Sequence, residues 1–115
     1  MKRAVTLKEN HEFRRLYQKG ASAVSGPMVI YCRKNKLGHN RLGITVSVKL
    51  GGAVVRNRAR RRLREVYRLN EGSFLPGYDI VVVARSKAAS ADFQTLTQAY
   101  LSLAGKAGIL REDAQ

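Results

Sequence analysis

Phe13, Leu16 and Tyr17 recur at three- and four-residue spacing in an otherwise polar segment, which predicts a helix with one buried stripe. Thr6-Leu7-Lys8-Glu9 has the form of a capping box and predicts that this helix begins near Leu7. Gly20 is its natural stop. Ala21 to Pro27 reads as a turn region holding a short strand at Ala21–Val24. Met28–Cys32 is rich in β-formers and reads as a strand. Lys34 to Asn40 reads as a polar loop, and Arg41 to Val48 as the second strand of a hairpin. There Leu42, Ile44, Val46 and Val48 share one face, and Gly43, Thr45 and Ser47 the other.

Gly51-Gly52 breaks the alternation, and a helix is predicted over Ala53–Asn70. Glu71 to Gly77 reads as a loop carrying Pro76-Gly77. Tyr78-Asp79-Ile80-Val81-Val82-Val83-Ala84 is dominated by β-branched apolar residues and predicts a buried central strand. Ser90 reads as the N-cap of a last helix reaching about Ala107. That helix buries Phe93, Leu96, Tyr100 and either Leu103 or Leu101, and Gly105 and Gly108 weaken its end. Helix, strands, helix, strand, helix predicts one α+β domain over residues 1–115. Its architecture is a two-layer sandwich of helices packed on a small mixed sheet.

Charge changes the picture. Lys and Arg number 22 against 8 Asp and Glu, a net charge of +14, while apolar residues at 44% suffice for a folded core. Such an excess opposes compaction by self-repulsion. A polyanion neutralises it, and nucleic acid is the usual one. Solubility alone would be served equally well by acidic residues.

The predicted second helix concentrates this charge. On a helical wheel Val55, Ala59, Leu63, Val66 and Leu69 fall on one arc. Asn57, Arg60, Arg61, Arg64 and Arg68 fall on the opposite arc, with Arg56 and Arg58 flanking the apolar side. Arg62 projects close to the apolar arc and is expected to run along the core edge. Guanidinium groups fork onto phosphate oxygens or stack on bases. Without a polyanion, arginines three and four residues apart repel one another, and Glu65 alone lies within the run to compensate.

Other chemistries fare worse. The eight acids are Glu9, Glu12, Glu65, Glu71, Asp79, Asp92, Glu112 and Asp113, and they are scattered, whereas two-metal phosphodiester cleavage wants clustered carboxylates. His11 and His39 are the only histidines, and a lone loop residue such as His39 is read as solvated. No catalytic residue and no metal ligand is assigned. Cys32 is the only cysteine, which rules out an intrachain disulfide or a Cys-based zinc site and fits a reducing cytosol. Met1 to Lys8 is basic but leads into no apolar run, so no signal peptide is expected. No apolar stretch is long enough for a bilayer, and the basic helix lacks the aromatic anchors of a membrane-surface helix. A cytoplasmic protein without a membrane partner is expected.

Lys49-Leu50-Gly51-Gly52-Ala53-Val54-Val55-Arg56-Asn57-Arg58, followed by Arg60-Arg61 and Arg64-Glu65, resembles the signature of bacterial ribonuclease P proteins. Arg56-Asn57-Arg58 matches that family's RNR element. Leu7-Lys8 through Phe13, Tyr17 and Gly20 resembles its first helix, and Tyr78 to Arg85 its penultimate segment. Two departures stand out: Gly52 replaces a usual Asn, and Arg62 a usual apolar residue.

The resemblance implies an αβββαβα order, a sheet of about four strands and a left-handed strand–helix–strand crossover around the basic helix. It implies a protein subunit beside a catalytic RNA that removes the 5′ leader of precursor tRNA using Mg²⁺, in a one-to-one complex. Lys49, Arg56, Asn57, Arg58, Arg60, Arg61, Arg64 and Arg68 would then bear on the RNA. Phe13, Tyr17 and Tyr31 match the aromatic positions of a leader-binding cleft. Aromatic rings stack on unpaired bases without demanding a sequence, yet a Phe–Tyr pair spaced by four is also ordinary core packing. The rival function is a ribosomal protein or RNA chaperone with no part in cleavage. DNA binding is disfavoured, because the apolar arc implies docking of the helix on its own sheet.

Overall fold

The structure, a computed structural model, describes residues 5–7 and 9–111. The chain forms β1 (Val5–Thr6), α1 (Asn10–Lys19), β2 (Ala21–Val24), β3 (Met28–Lys34), β4 (Arg41–Val46), α2 (Ala53–Asn70), β5 (Tyr78–Ala84) and α3 (Phe93–Lys106). The strands make one mixed sheet in the order β1-β4-β5-β3-β2. β5 is central, antiparallel to β3 and parallel to β4, with α2 carrying the chain across between the two parallel strands.

Composition explains that placement. Ile80, Val81 and Val82 are fully buried, so β5 needs cover on both faces. Ile80, Val82 and Ala84 join Met28, Ile30, Leu42 and Val46 in the main core, against Ala59, Leu63 and Val66 of α2 and Leu96, Tyr100 and Leu103 of α3. Each fully buried aliphatic chain contributes about 1.5–3 kcal/mol. Val81 faces the other way and packs with Leu7 and Leu16, bordered by Phe13, Tyr31 and Val83. The main layers are thus the sheet and the α2–α3 pair, and α1 covers the sheet's opposite face. Asn40 locks the start of β4 to the loop before β5: its amide donates to the Leu75 carbonyl (3.0 Å) and the Tyr67 hydroxyl (3.2 Å), and its carbonyl accepts the Tyr78 N–H (2.8 Å).

Several boundaries and pairings differ from expectation. The sheet has five strands, because Val5–Thr6 pairs in parallel with Arg41–Leu42 and the Leu7 N–H donates to the Leu42 carbonyl (3.0 Å). That pairing claims Thr6, so α1 starts at Asn10 and not near Leu7. Its capping box is Glu9 with Glu12, whose carboxylate accepts the Glu9 N–H (3.3 Å). Lys8 of the expected box lies outside the described residues. β3 and β4 form no hairpin, since β5 lies between them. β4 ends at Val46, because the Ser47 hydroxyl accepts the Lys49 N–H (3.1 Å) and caps a 3₁₀ turn over Val48–Leu50. Val48 is consequently 73% exposed.

In α2 the buried arc includes Tyr67 and leaves Leu69 58% exposed. Tyr67 meets Phe74 edge-on at 5.1 Å, and that ring draws the packing seam towards position 67. α3 is capped by Asp92, not Ser90: its carboxylate accepts the Thr95 N–H (2.7 Å), while Ser86–Ala89 forms a separate 3₁₀ turn. Within α3, Leu103 takes the buried position and Leu101 the half-buried one.

Candidate nucleic-acid interface

Burial of Ala59, Leu63, Val66 and Tyr67 fixes the rotation of α2. Asn57, Arg58, Arg61 and Arg64 therefore point to solvent, and Arg60 is half-buried with its guanidinium donating to the Asn57 side chain (3.4 Å). Arg56 is half-buried, with its Nε enclosed and without a hydrogen-bond partner among the described residues. Lys49 is exposed in the 3₁₀ turn just before the helix.

Two further arginines of the run are engaged internally. Arg62 follows the core edge, and its Nη1 donates to the Ala91 carbonyl (2.9 Å), tying α2 to the approach of α3. Arg68 forks onto Glu65, one turn back. Hydrogen bonding from Arg68 holds the Glu65 carboxyl below its usual range. Among the expected RNA contacts, Arg68 alone shares its charge with a carboxylate of the described residues. At the start of the helix, Gly52 offers no side-chain cap to the first turn.

The aromatic trio lies on the other face of the sheet. Phe13 is half-buried and borders the small core under α1. Its ring lies directly over Gly43. Tyr17 is 40% exposed, with its hydroxyl hydrogen-bonded to the Thr45 hydroxyl (3.2 Å). Tyr31, half-buried, meets Tyr17 edge to face at 4.9 Å. Asn10, Phe13, Arg14, Tyr17 and Thr45 line an open cleft of about 390 Å³. The three rings are thus brought together with different duties: Phe13 floors the cleft, Tyr17 presents a ring to it, and Tyr31 props Tyr17. Asn10, Arg14 and Thr45 were not foreseen as lining residues. The one local hint was Thr45 on the polar face of its strand.

On another side of α1, Arg41 bridges two carboxylates. Its guanidinium reaches Glu12 at 2.6 Å and Asp79 at 2.8 and 2.9 Å, and the Asn35 amide adds a 2.9 Å bond to Asp79. Burial pushes the Asp79 carboxyl up, but the hydrogen bonds from Arg41 and Asn35 and the nearby positive charge outweigh it and leave it below its usual range. Among the described residues no group of three or more His, Cys, Asp or Glu could hold a metal ion. The two carboxylates that do converge are both bound by Arg41. His11 and His39 are both exposed, one on α1 and the other in the β3–β4 loop. No helix among the described residues is long and apolar enough to cross a membrane.

A family profile described as Ribonuclease P matches residues 1–108. The ribonuclease P protein component of Natranaerobius thermophilus is 38% identical over 113 residues, 98% of each chain. That of Alkaliphilus metalliredigens is 43% identical over 100 residues, covering 87% of this chain and 90% of its own. Among solved structures, the Staphylococcus aureus RNase P protein superposes with a TM-score of 0.85 at 34% identity, covering 95% of this chain and all of its own. The Thermotoga maritima RNase P protein gives 0.78 at 35% identity, covering 84% and 92%. With the arginine helix, the sheet order and the aromatic cleft already in place, these matches show that the chain belongs to the ribonuclease P protein family.

Proposed function

We propose that this chain works as the protein subunit of ribonuclease P, holding a catalytic RNA on one face and the 5′ leader of precursor tRNA on the other. The observation that carries the reading is the row of solvent-facing Arg58, Arg61 and Arg64 on a helix whose rotation is fixed by buried Leu63 and Val66. A rigid helix presents guanidinium forks at set spacing, so little ordering is left to do on binding. Lys49, Arg56, Asn57 and Arg60 extend this surface, and Arg68 lies at its far end.

The cleft beside α1 suits an unpaired strand. Tyr17 offers a ring for stacking, and Arg14 at the rim offers a charge to the backbone. Because the cleft and α2 lie on opposite faces of the sheet, one protein can touch both RNAs at once. The Ser47–Lys49 turn links Thr45 in the cleft to the start of α2. Phosphodiester hydrolysis is assigned to the RNA partner, and Mg²⁺ held by that RNA supplies charge stabilisation for the reacting phosphate. The protein binds, orients and neutralises, as a one-to-one partner in the cytoplasm.

Reconstitution tests this. Added to a bacterial ribonuclease P RNA, the protein should lower the Mg²⁺ concentration needed to cleave precursor tRNA, and RNA-free protein should cleave nothing. Cleavage by RNA-free protein, or RNA annealing without any stimulation of cleavage, would overturn the reading, the latter in favour of an RNA chaperone.

A further inference from the structure

Beyond its aromatic side, α1 has two more basic flanks. Its outer side carries a shallow groove of about 300 Å³ lined by His11, Arg14, Arg15, Gln18 and Lys19. Its far side borders a cleft of about 330 Å³ at the end of β3, where Arg15, Arg33, Lys34 and Lys36 surround the Arg41 network. The three concavities share walls. Arg14 lines both the aromatic cleft and the outer groove, and His11 and Arg15 line both the outer groove and the far cleft. They form one continuous strip over the helix.

The far cleft holds five Lys and Arg side chains against two carboxylates. Arg41 binds both carboxylates and Asp79 also feels the Arg33 charge, yet five cations against two anions leave the cleft strongly positive. Arg15, Lys34 and Lys36 are exposed, and their side chains make no hydrogen bond or ion pair with a described residue. Packing does not require them there, and their mutual repulsion is relieved only by an outside anion.

We propose that this strip is a phosphate track for the leader: nucleotides upstream of those at the aromatic cleft cross α1 and set their backbone phosphates on Arg14, Arg15, Lys34 and Lys36. The inference rests on the leader reading of that cleft. The track opens out of the cleft and lies on the sheet face away from α2, which sets it apart from the catalytic RNA surface. Its crossing is about one helix diameter, about 10 Å, which suits a single flexible strand. Its one exposed ring among the described lining residues is the His11 imidazole, with no Phe, Tyr or Trp beside it, so it should read charge more than bases.

The test uses reconstituted holoenzyme and three substrates: mature tRNA, precursor with a leader just filling the aromatic cleft, and precursor with a longer leader. Wild type should gain affinity at each step. The combined variant Arg15→Ala, Lys34→Ala, Lys36→Ala should lose the second gain, about ten-fold, as three screened ion pairs supply. It should keep its melting temperature and its affinity for the two shorter substrates. Its salt slope with the long leader should flatten by about 0.7 per lost contact. An unchanged long-leader affinity, an equal loss on mature tRNA, or no second gain in wild type would each overturn the track. Tyr17→Ala should remove only the first gain. A silent Tyr17→Ala beside an affected triple variant upholds the strip and overturns the aromatic cleft.

Discussion

The Phe13 ring fills the space over Gly43: a Cβ at position 43 would stand 2.7 Å from two of its ring carbons. Residue 43 lies in β4 on the face that α1 covers, so the absence of a side chain there sets how closely the helix approaches the sheet. Gly43→Ala should push Phe13 out of place, costing about 1–3 kcal/mol as overpacking does. It should also weaken leader-dependent binding, because Phe13 floors the cleft. Denaturant unfolding beside precursor and mature tRNA affinities checks both effects. Wild-type stability in Gly43→Ala would show that the ring moves freely and is no floor.

Tyr17 and Tyr31 touch, yet their exposures predict different penalties. Tyr17→Ala should cost well under the roughly 3–5 kcal/mol of a core aromatic truncation, since the ring is 40% exposed. Its loss should fall on precursor binding, by about 1–3 kcal/mol for one stacked base, and spare mature tRNA. Tyr31→Ala should lower both stability and precursor binding, because Tyr31 borders the small core and props Tyr17. Melting temperatures and paired affinities separate the two. Equal losses on precursor and mature tRNA for Tyr17→Ala would remove it from the leader site.

Arginines of α2 should divide by what they touch. Arg58→Ala and Arg61→Ala should leave stability within about 0.5 kcal/mol, as exposed substitutions do. Each should weaken the catalytic RNA complex and flatten its salt slope by about 0.7–0.9 per contact. Arg62→Ala should behave oppositely. It loses the bond to the Ala91 carbonyl, at about 0.5–1.5 kcal/mol of stability, and leaves the salt slope unchanged. A flattened slope in Arg62→Ala would place that residue on the RNA.

Asp79 should shape acid stability. Its folded carboxyl lies below the ordinary 3.8, so the stabilisation is fully present above that value and is lost as pH falls through the lower folded one. Asp79→Asn should destabilise the protein near neutrality and reduce the steepness of its acid unfolding limb below pH 3.8. Unfolding free energy against pH for both proteins checks this. Parallel acid limbs would mean that Arg41 does not hold the carboxylate in solution.

The sequence by itself determined the helices, their approximate bounds and the arginine face, because a 3.6-residue apolar repeat records which side of a helix leaves water. Leu63 and Val66 orient α2 wherever the rest of the chain goes. It also marked β5 as central, since three consecutive buried Val and Ile residues need cover on both faces. What it could not show was partnership between distant segments. Thr6 carries a local capping signal, but pairing with Leu42 outweighs it. Met28–Cys32 and Arg41–Val48 read as a hairpin, yet β3 and β4 each pair with β5. Leu69 has the more apolar side chain, but Phe74 brings Tyr67 into the core instead. The aromatic types at 13, 17 and 31 were legible, whereas their division into floor, platform and prop was decided by Gly43 and Thr45 across the sheet. Local periodicity reports burial; which surface does the burying, and how much of a ring it leaves open, is a property of the assembled tertiary contacts alone.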